Sequence, residues 1–232
     1  MVTKVAENIV KSLGQIRQNI NAMAEQTTYR ESVRLLAVSK KHSAEAIRVA
    51  YEAGQREFAE NYVQEGVAKV QQLQALDITW HFIGPLQSNK TKLVAEHFDW
   101  VQSIDREKIA RRLNDQRSGA LPPLNVLLQV NIDNDPNKSG VKKSDVNALA
   151  KFVSKCPHLK LRGIMTILEA DTDEKQQLDS FTSMRELYQQ LQQLHPSVDT
   201  LSMGMSGDMR QAIHAGANMV RIGSAIFGQR EW

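Results

Sequence analysis

Three stretches far apart in the chain carry side chains suited to one small anionic ligand. Leu35-Leu36-Ala37-Val38-Ser39-Lys40 reads as an apolar strand that delivers an amine to its C-terminal end. Strand alternation puts Leu36, Val38 and Lys40 on one face. Met205-Ser206-Gly207-Asp208 and Ile222-Gly223-Ser224 are glycine-bearing turns that each include a hydroxyl. Glycine lets backbone N–H groups approach an anion, and the hydroxyl adds a donor. Arg221, beside the second turn, supplies a fixed cation. A lysine facing a phosphate-holding loop suggests a Schiff base with a phosphorylated carbonyl compound. That chemistry needs a neutral amine, and lowering a lysine pKa from about 10.4 to about 7 takes about 4–5 kcal/mol. Partial burial and a neighbouring cation such as Arg221 are the usual means. Plainer readings stand beside these. Lys40 can be a solvated lysine past a strand end, since lysine is rarely buried unless paired. Ser206 can be an N-cap, the glycines only turns, and Arg221 one half of a salt bridge across the interior.

The elements that must position these residues are set by hydrophobic period. Residues 3–26 form an amphipathic helix, with Val5, Ile9, Leu13, Ile16, Ile20 and Met23 on one side. This helix covers the bottom or a flank of a barrel. After Lys40 comes a helix capped by Ser43 and stopped by Gly54, then a strand Phe58–Asn61. A helix over 62–74 is next, with Val63, Val67, Val70 and Leu73 inward. Strands over 80–84, 100–104, 126–130 and 161–167 alternate with helices, and 131–143 reads as a polar loop. Asp171 and Glu174 form a capping box for a long helix over 174–194. A seventh strand at 200–205, a helix from Met209 to His214 and an eighth strand at 219–222 complete the series. Eight strand–helix units without a low-complexity linker indicate one (β/α)8 barrel spanning 1–232, with an extra N-terminal helix. An open doubly wound sheet would use fewer units. In such barrels phosphate is often held by the loops after strands seven and eight, where Ser206 and Gly223-Ser224 stand.

Composition narrows the class. With 41% hydrophobic and 24% charged residues the chain is an ordinary globular protein that needs no staples. A lone cysteine, Cys156, excludes an intramolecular disulfide and a cysteine-based metal cluster. Charges near the N-terminus fall where a signal peptide requires an apolar run, and no window approaches about 18 consecutive apolar residues. A reducing cytoplasm is the expected setting, with no membrane partner. The net charge of +3 is scattered, so no nucleic-acid stripe is present. A monomer is expected, because no large apolar stripe is left over.

Several runs also resemble a known family. They are Leu36-Ala37-Val38-Ser39-Lys40, Glu60-Asn61-Tyr62-Val63-Gln64-Glu65, Trp80-His81-Phe82-Ile83-Gly84-Pro85-Leu86-Gln87-Ser88-Asn89-Lys90, Leu201-Ser202-Met203-Gly204-Met205-Ser206 and Val220-Arg221-Ile222-Gly223-Ser224-Ala225-Ile226-Phe227-Gly228. Their order and content are similar to the YggS/PROSC family of pyridoxal phosphate homeostasis proteins, closest in look to its enterobacterial members. The resemblance implies a barrel like the N-terminal domain of alanine racemase, with pyridoxal 5′-phosphate (PLP) covalently on Lys40. It implies that Ser206, Gly207, Gly223 and Ser224 hold the phosphate and that Arg221 faces the pyridine nitrogen. By the same analogy Asn61 and His81 lie at strand ends near the cofactor, although His81 alone reads as a packed core histidine. Lys41 would point to the opposite strand face, into solvent. Two positions depart from the family pattern. Ala59 stands where glycine is usual, and Arg210 replaces an acidic residue one turn into the helix after Ser206.

The family resemblance implies a role in PLP (vitamin B6) homeostasis and amino-acid balance. An arginine at the pyridine nitrogen disfavours its protonation and weakens the ring as an electron sink. The tyrosines Tyr29, Tyr51, Tyr62 and Tyr188 all fall in helices or loops, so no second catalytic base is evident. The reading is therefore a carrier or reservoir, not a catalyst, with PLP-dependent apo-enzymes as partners. The alternatives are a weak amino-acid racemase and, further off, a Schiff-base aldolase acting on a sugar phosphate.

Overall fold

Residues three or four apart along a helix share a stripe, and in the computed structural model α1 (Val2–Glu25) buries Ile9, Leu13, Ile16 and Ile20 in this way. The structure describes residues 2–29, 32–136, 138–169 and 173–228. α1 packs against α2 (Ala44–Glu52), α8 (Met209–His214) and α9 (Ser224–Phe227), and so covers a flank. The strands are β1 (Arg34–Val38), β2 (Glu57–Glu60), β3 (Thr79–Phe82), β4 (Trp100–Ile104), β5 (Leu124–Asn131), β6 (Val141–Lys142), β7 (Leu159–Met165), β8 (Thr200–Ser202) and β9 (Met219–Ile222). Between them run α3 (Val63–Gln72), α4 (Thr91–His97), α5 (Glu107–Gln116), α6 (Val146–Val153) and α7 (Glu174–Leu194). All strand pairs are parallel. β9 pairs back onto β1, with Leu36 opposite Arg221, and closes a ring of eight. The two-residue β6 stands outside that ring. It pairs with the end of β5 inside the segment expected to be loop.

Side chains fill the ring. Leu36, Val38, Ala59, Ile83 and Met219 form one interior cluster, and Trp100, Leu127 and Met165 another. The larger apolar layer lies between strands and helices. Ser43 caps α2, its Oγ accepting from Ala46 N at 3.2 Å, and Gly54 at φ +88° ends that helix. Asp171, expected to cap α7, lies outside the described residues. Asp173 holds the cap position, its Oδ1 accepting from Gln176 N at 2.9 Å. Among the described residues no helix is long and apolar enough to cross a membrane.

One local expectation fails and another gains members, each for a physical reason. β1 ends at Val38, so Lys40 is not a strand residue. Ser39 still donates to Ala59 O at 3.0 Å, but Lys41 adopts φ +65° and the chain turns. On α3 the four expected residues face inward, Val63 and Leu73 buried and Val67 and Val70 partly buried against the core, and Gly66 and Lys69 are buried beside them. A carboxylate buried on β2, Glu60, requires a cation, and Lys69 is rotated inward to meet it.

Candidate functional site

At the C-terminal ends of the strands a cavity of about 300 Å³ opens. Lys40 and Asn61, just past β1 and β2, line one part of it. Ser206 and Gly207 from the β8–α8 turn, and Arg221, Gly223 and Ser224 from β9 and its turn, line the rest. Seven of the eight residues singled out in the sequence thus meet in one hollow. Val38, Ile83 and Ile167 add apolar wall. Two glycines permit this convergence. A side chain at Gly84 would place Cβ 2.0 Å from Asn61 O, so glycine alone lets the loop after β3 pass against Asn61. At Gly223 a Cβ would lie 3.1 Å from Val38 O, which keeps the last turn against the end of β1.

His81 is the residue that the cavity leaves out. It sits within β3, fully buried, stacked on Trp100 at 5.1 Å. There it joins a chain of donors through the barrel interior. Arg221 Nη1 donates to Ser202 Oγ (2.9 Å), Ser202 Oγ to Gln102 Oε1 (2.7 Å), and Gln102 Nε2 to His81 Nδ1 (3.0 Å). An accepting Nδ1 puts the proton of the neutral ring on Nε2, which lies 3.4 Å from Glu57 Oε1. Burial pushes the His81 pKa down, and Glu57 opposes the shift. Burial also tends to raise Glu57, but His81, Arg34 and Arg162 outweigh it and hold that carboxyl low. This chain of donors links His81 to the cavity through Arg221. Gln102 and Ser202, which link the two, carried no signal in the sequence beyond an inward strand position.

Arg221 is buried, and burial lowers its pKa to about 10 against the pull of Asp208, so it stays charged at neutral pH. Among the described residues its bonded partners are neutral: Ser202 Oγ and, from Nη2 at 2.7 Å, Thr166 O. The salt-bridge reading of Arg221 finds no carboxylate there. Asp208, its own pKa raised by burial, occupies the N-cap position of α8 and accepts from Met205 N at 2.5 Å. Ser206 is therefore not the cap, and its exposed hydroxyl lines the cavity. Lys41 is exposed, in the turn and not on a strand face, and its N–H donates to Glu65 Oε1.

Both departures from the family pattern are settled by place. The Ala59 methyl packs in the interior cluster with Leu36 and Ile83. Arg210 lines a separate surface depression with Met23, Glu174 and Leu178, away from the anion cavity. None of the four tyrosines lines that cavity.

Among the described residues Lys40 and Arg221 line the hollow and no carboxylate does. Two hydroxyls beside glycine turns suit a phosphate, and the apolar walls suit the faces of a small ring. Asn61 Oδ1 is buried without a hydrogen-bond partner, an acceptor that a ligand hydroxyl would satisfy. The donor set thus fits a ring bearing a phosphate, a hydroxyl and a carbonyl.

Comparison with known proteins agrees with this chemistry. The family described as alanine racemase, N-terminal domain, matches residues 12–231. The chain is 53% identical to the pyridoxal phosphate homeostasis protein of Vibrio cholerae, covering 96% of this chain and 98% of that one. It is 50% identical to the protein of that name from Escherichia coli K12, covering 97% and 98%. The structure of PipY from Synechococcus elongatus with PLP bound superposes with a TM-score of 0.82 at 37% identity, covering 95% of this chain and all of that one.

Proposed function

The chain belongs to the YggS/PROSC family of pyridoxal phosphate homeostasis proteins, and from that premise we propose that it holds PLP in the barrel mouth as a Schiff base on Lys40, as carrier and reservoir. The observation that carries this reading is the meeting of Lys40, two hydroxyl–glycine turns and Arg221 on one cavity that no carboxylate among the described residues lines. Ser206, Gly207, Gly223 and Ser224 anchor the phosphate. Lys40, once neutral, would bond to the aldehyde carbon. Its two protons and the carbonyl oxygen leave as water, so no oxidant or reductant is required.

When bound, the cofactor supplies an electron sink for carbanion chemistry at the α-carbon of amino acids. By the family analogy Arg221 would place a positive charge toward the ring nitrogen and disfavour its protonation, which would weaken that sink. No tyrosine lines the cavity to act as a second base. The chain therefore sequesters a reactive aldehyde and passes it to PLP-dependent apo-enzymes, tuning vitamin B6 and amino-acid pools in the cytoplasm. Kinship with the alanine racemase domain favours one second reading, a weak amino-acid racemase. Incubation of the loaded protein with L- and D-amino acids in deuterated water separates the two. Carriage predicts no α-proton exchange above free PLP and reactivation of an added apo-enzyme. Exchange at enzyme-like rates contradicts it.

A further inference from the structure

One buried cation has no part in the cavity, yet it is bonded on both sides of Lys40. Lys69, on α3, is 6% exposed, and its ammonium has three protons to donate. All three have partners: Ser39 O at 2.8 Å, Glu60 Oε1 at 2.8 Å and Glu65 Oε1 at 2.7 Å. The same two carboxylates grip the turn that carries Lys40. Glu60 Oε1 accepts from Ser39 Oγ at 2.6 Å, and Glu65 Oε1 accepts from Lys41 N at 2.5 Å. The residue before Lys40 is thus held at its carbonyl and hydroxyl, and the residue after it at its N–H.

The turn needs such a hold. Lys41 stands at φ +65°, a conformation that disfavours side-chain-bearing residues and persists only where surroundings impose it. α3 is also brought unusually close. A Cβ on Gly66 would lie 2.7 Å from Phe98 Cζ and 3.1 Å from Glu60 Cβ, so glycine at that position is what lets Lys69 reach under the turn. Stability alone does not ask for this arrangement, because a well-packed apolar side chain commonly serves as well as a buried ion pair.

We propose that Lys69 is the positioning residue for Lys40, acting through Ser39, Glu60 and Glu65 to set the amine at bonding distance from the aldehyde of a ligand anchored by its phosphate. The proposal rests on the reading of Lys40 as the attachment point. Lys69 does not touch the ligand, so its loss should weaken the bond to Lys40 and spare the anchoring of ring and phosphate.

The test compares PLP with pyridoxamine 5′-phosphate, which keeps the ring and phosphate but carries an amine in place of the aldehyde. The full chain, Lys69→Met, Ser39→Ala and Glu65→Gln are titrated with both and then reduced with borohydride. Misplacement of a reacting group by an ångström costs up to a hundredfold, so Lys69→Met should weaken PLP binding and slow adduct formation by about tenfold or more, with less than about twofold change for pyridoxamine 5′-phosphate. Ser39→Ala and Glu65→Gln each remove one arm and should show the same selective loss at about threefold. They carry the test if Lys69→Met does not fold. Equal loss for both ligands, or no loss for PLP, overturns the proposal while leaving Lys40 as the attachment point. A wild-type chain that forms no adduct overturns both.

Discussion

The two ends of the barrel hold their cationic side chains in different arrangements. At the N-terminal end Arg34 and Arg162 each meet a carboxylate, Glu57 at 3.3 Å and Asp199 at 2.6 Å, and both guanidinium groups lie over the Trp100 ring. At the C-terminal end Lys40 and Arg221 line a cavity that no carboxylate among the described residues lines, and Arg221 is held by a hydroxyl and a carbonyl. Charges neutralised within the chain serve the fold. On the proposed function, the buried charge at the mouth faces a ligand from outside the chain.

The contrast breaks most completely at the mouth. Lys40→Ala should abolish the visible absorbance of the protein incubated with PLP, while phosphate-anchored binding persists. A yellow variant would place the attachment elsewhere. Arg221→Lys keeps the charge but loses the two-pronged grip on Ser202 Oγ and Thr166 O. A fluorescence titration should show PLP affinity lower by about tenfold, the worth of one charge-assisted bond. At the other end Arg162→Ala should leave PLP affinity unchanged and cost about 1 kcal/mol, seen as a melting temperature lower by about 2–4 °C.

The smallest effect is in pH. Burial holds the His81 pKa below its ordinary 6.5, so below that pH the unfolded chain binds more protons than the folded one. Stability should therefore fall as pH drops from about 6.5 toward the folded-state value. The Glu57 carboxyl, held below its ordinary 4.5, adds loss only at lower pH still. Melting temperatures between about pH 6.5 and 5 should decline in the wild type and flatten in His81→Gln.

Much of the fold and the cavity was legible in the sequence because strand and helix periods are local. They placed β1, β8 and β9 well enough to put Lys40, Ser206, Arg221, Gly223 and Ser224 at one end of a barrel. The residues that escaped are those whose environment is made by other elements. Lys69 looks like a surface lysine between Ala68 and Val70, and the buried Glu60 on a neighbouring strand turns it inward. His81, placed near the cofactor by the family resemblance alone, sits one residue short of the end of its strand and does not line the cavity. Gln102 and Ser202 acquire meaning only once strands far apart in the chain face each other across the interior.

The most direct test of Lys40 as the attachment point is borohydride reduction of the PLP-loaded wild-type protein, with peptide mapping of the product. A single reduced pyridoxyl group on Lys40 is the predicted result. Its stoichiometric appearance on Lys41, Lys69 or any other lysine, with Lys40 unmodified, would contradict it.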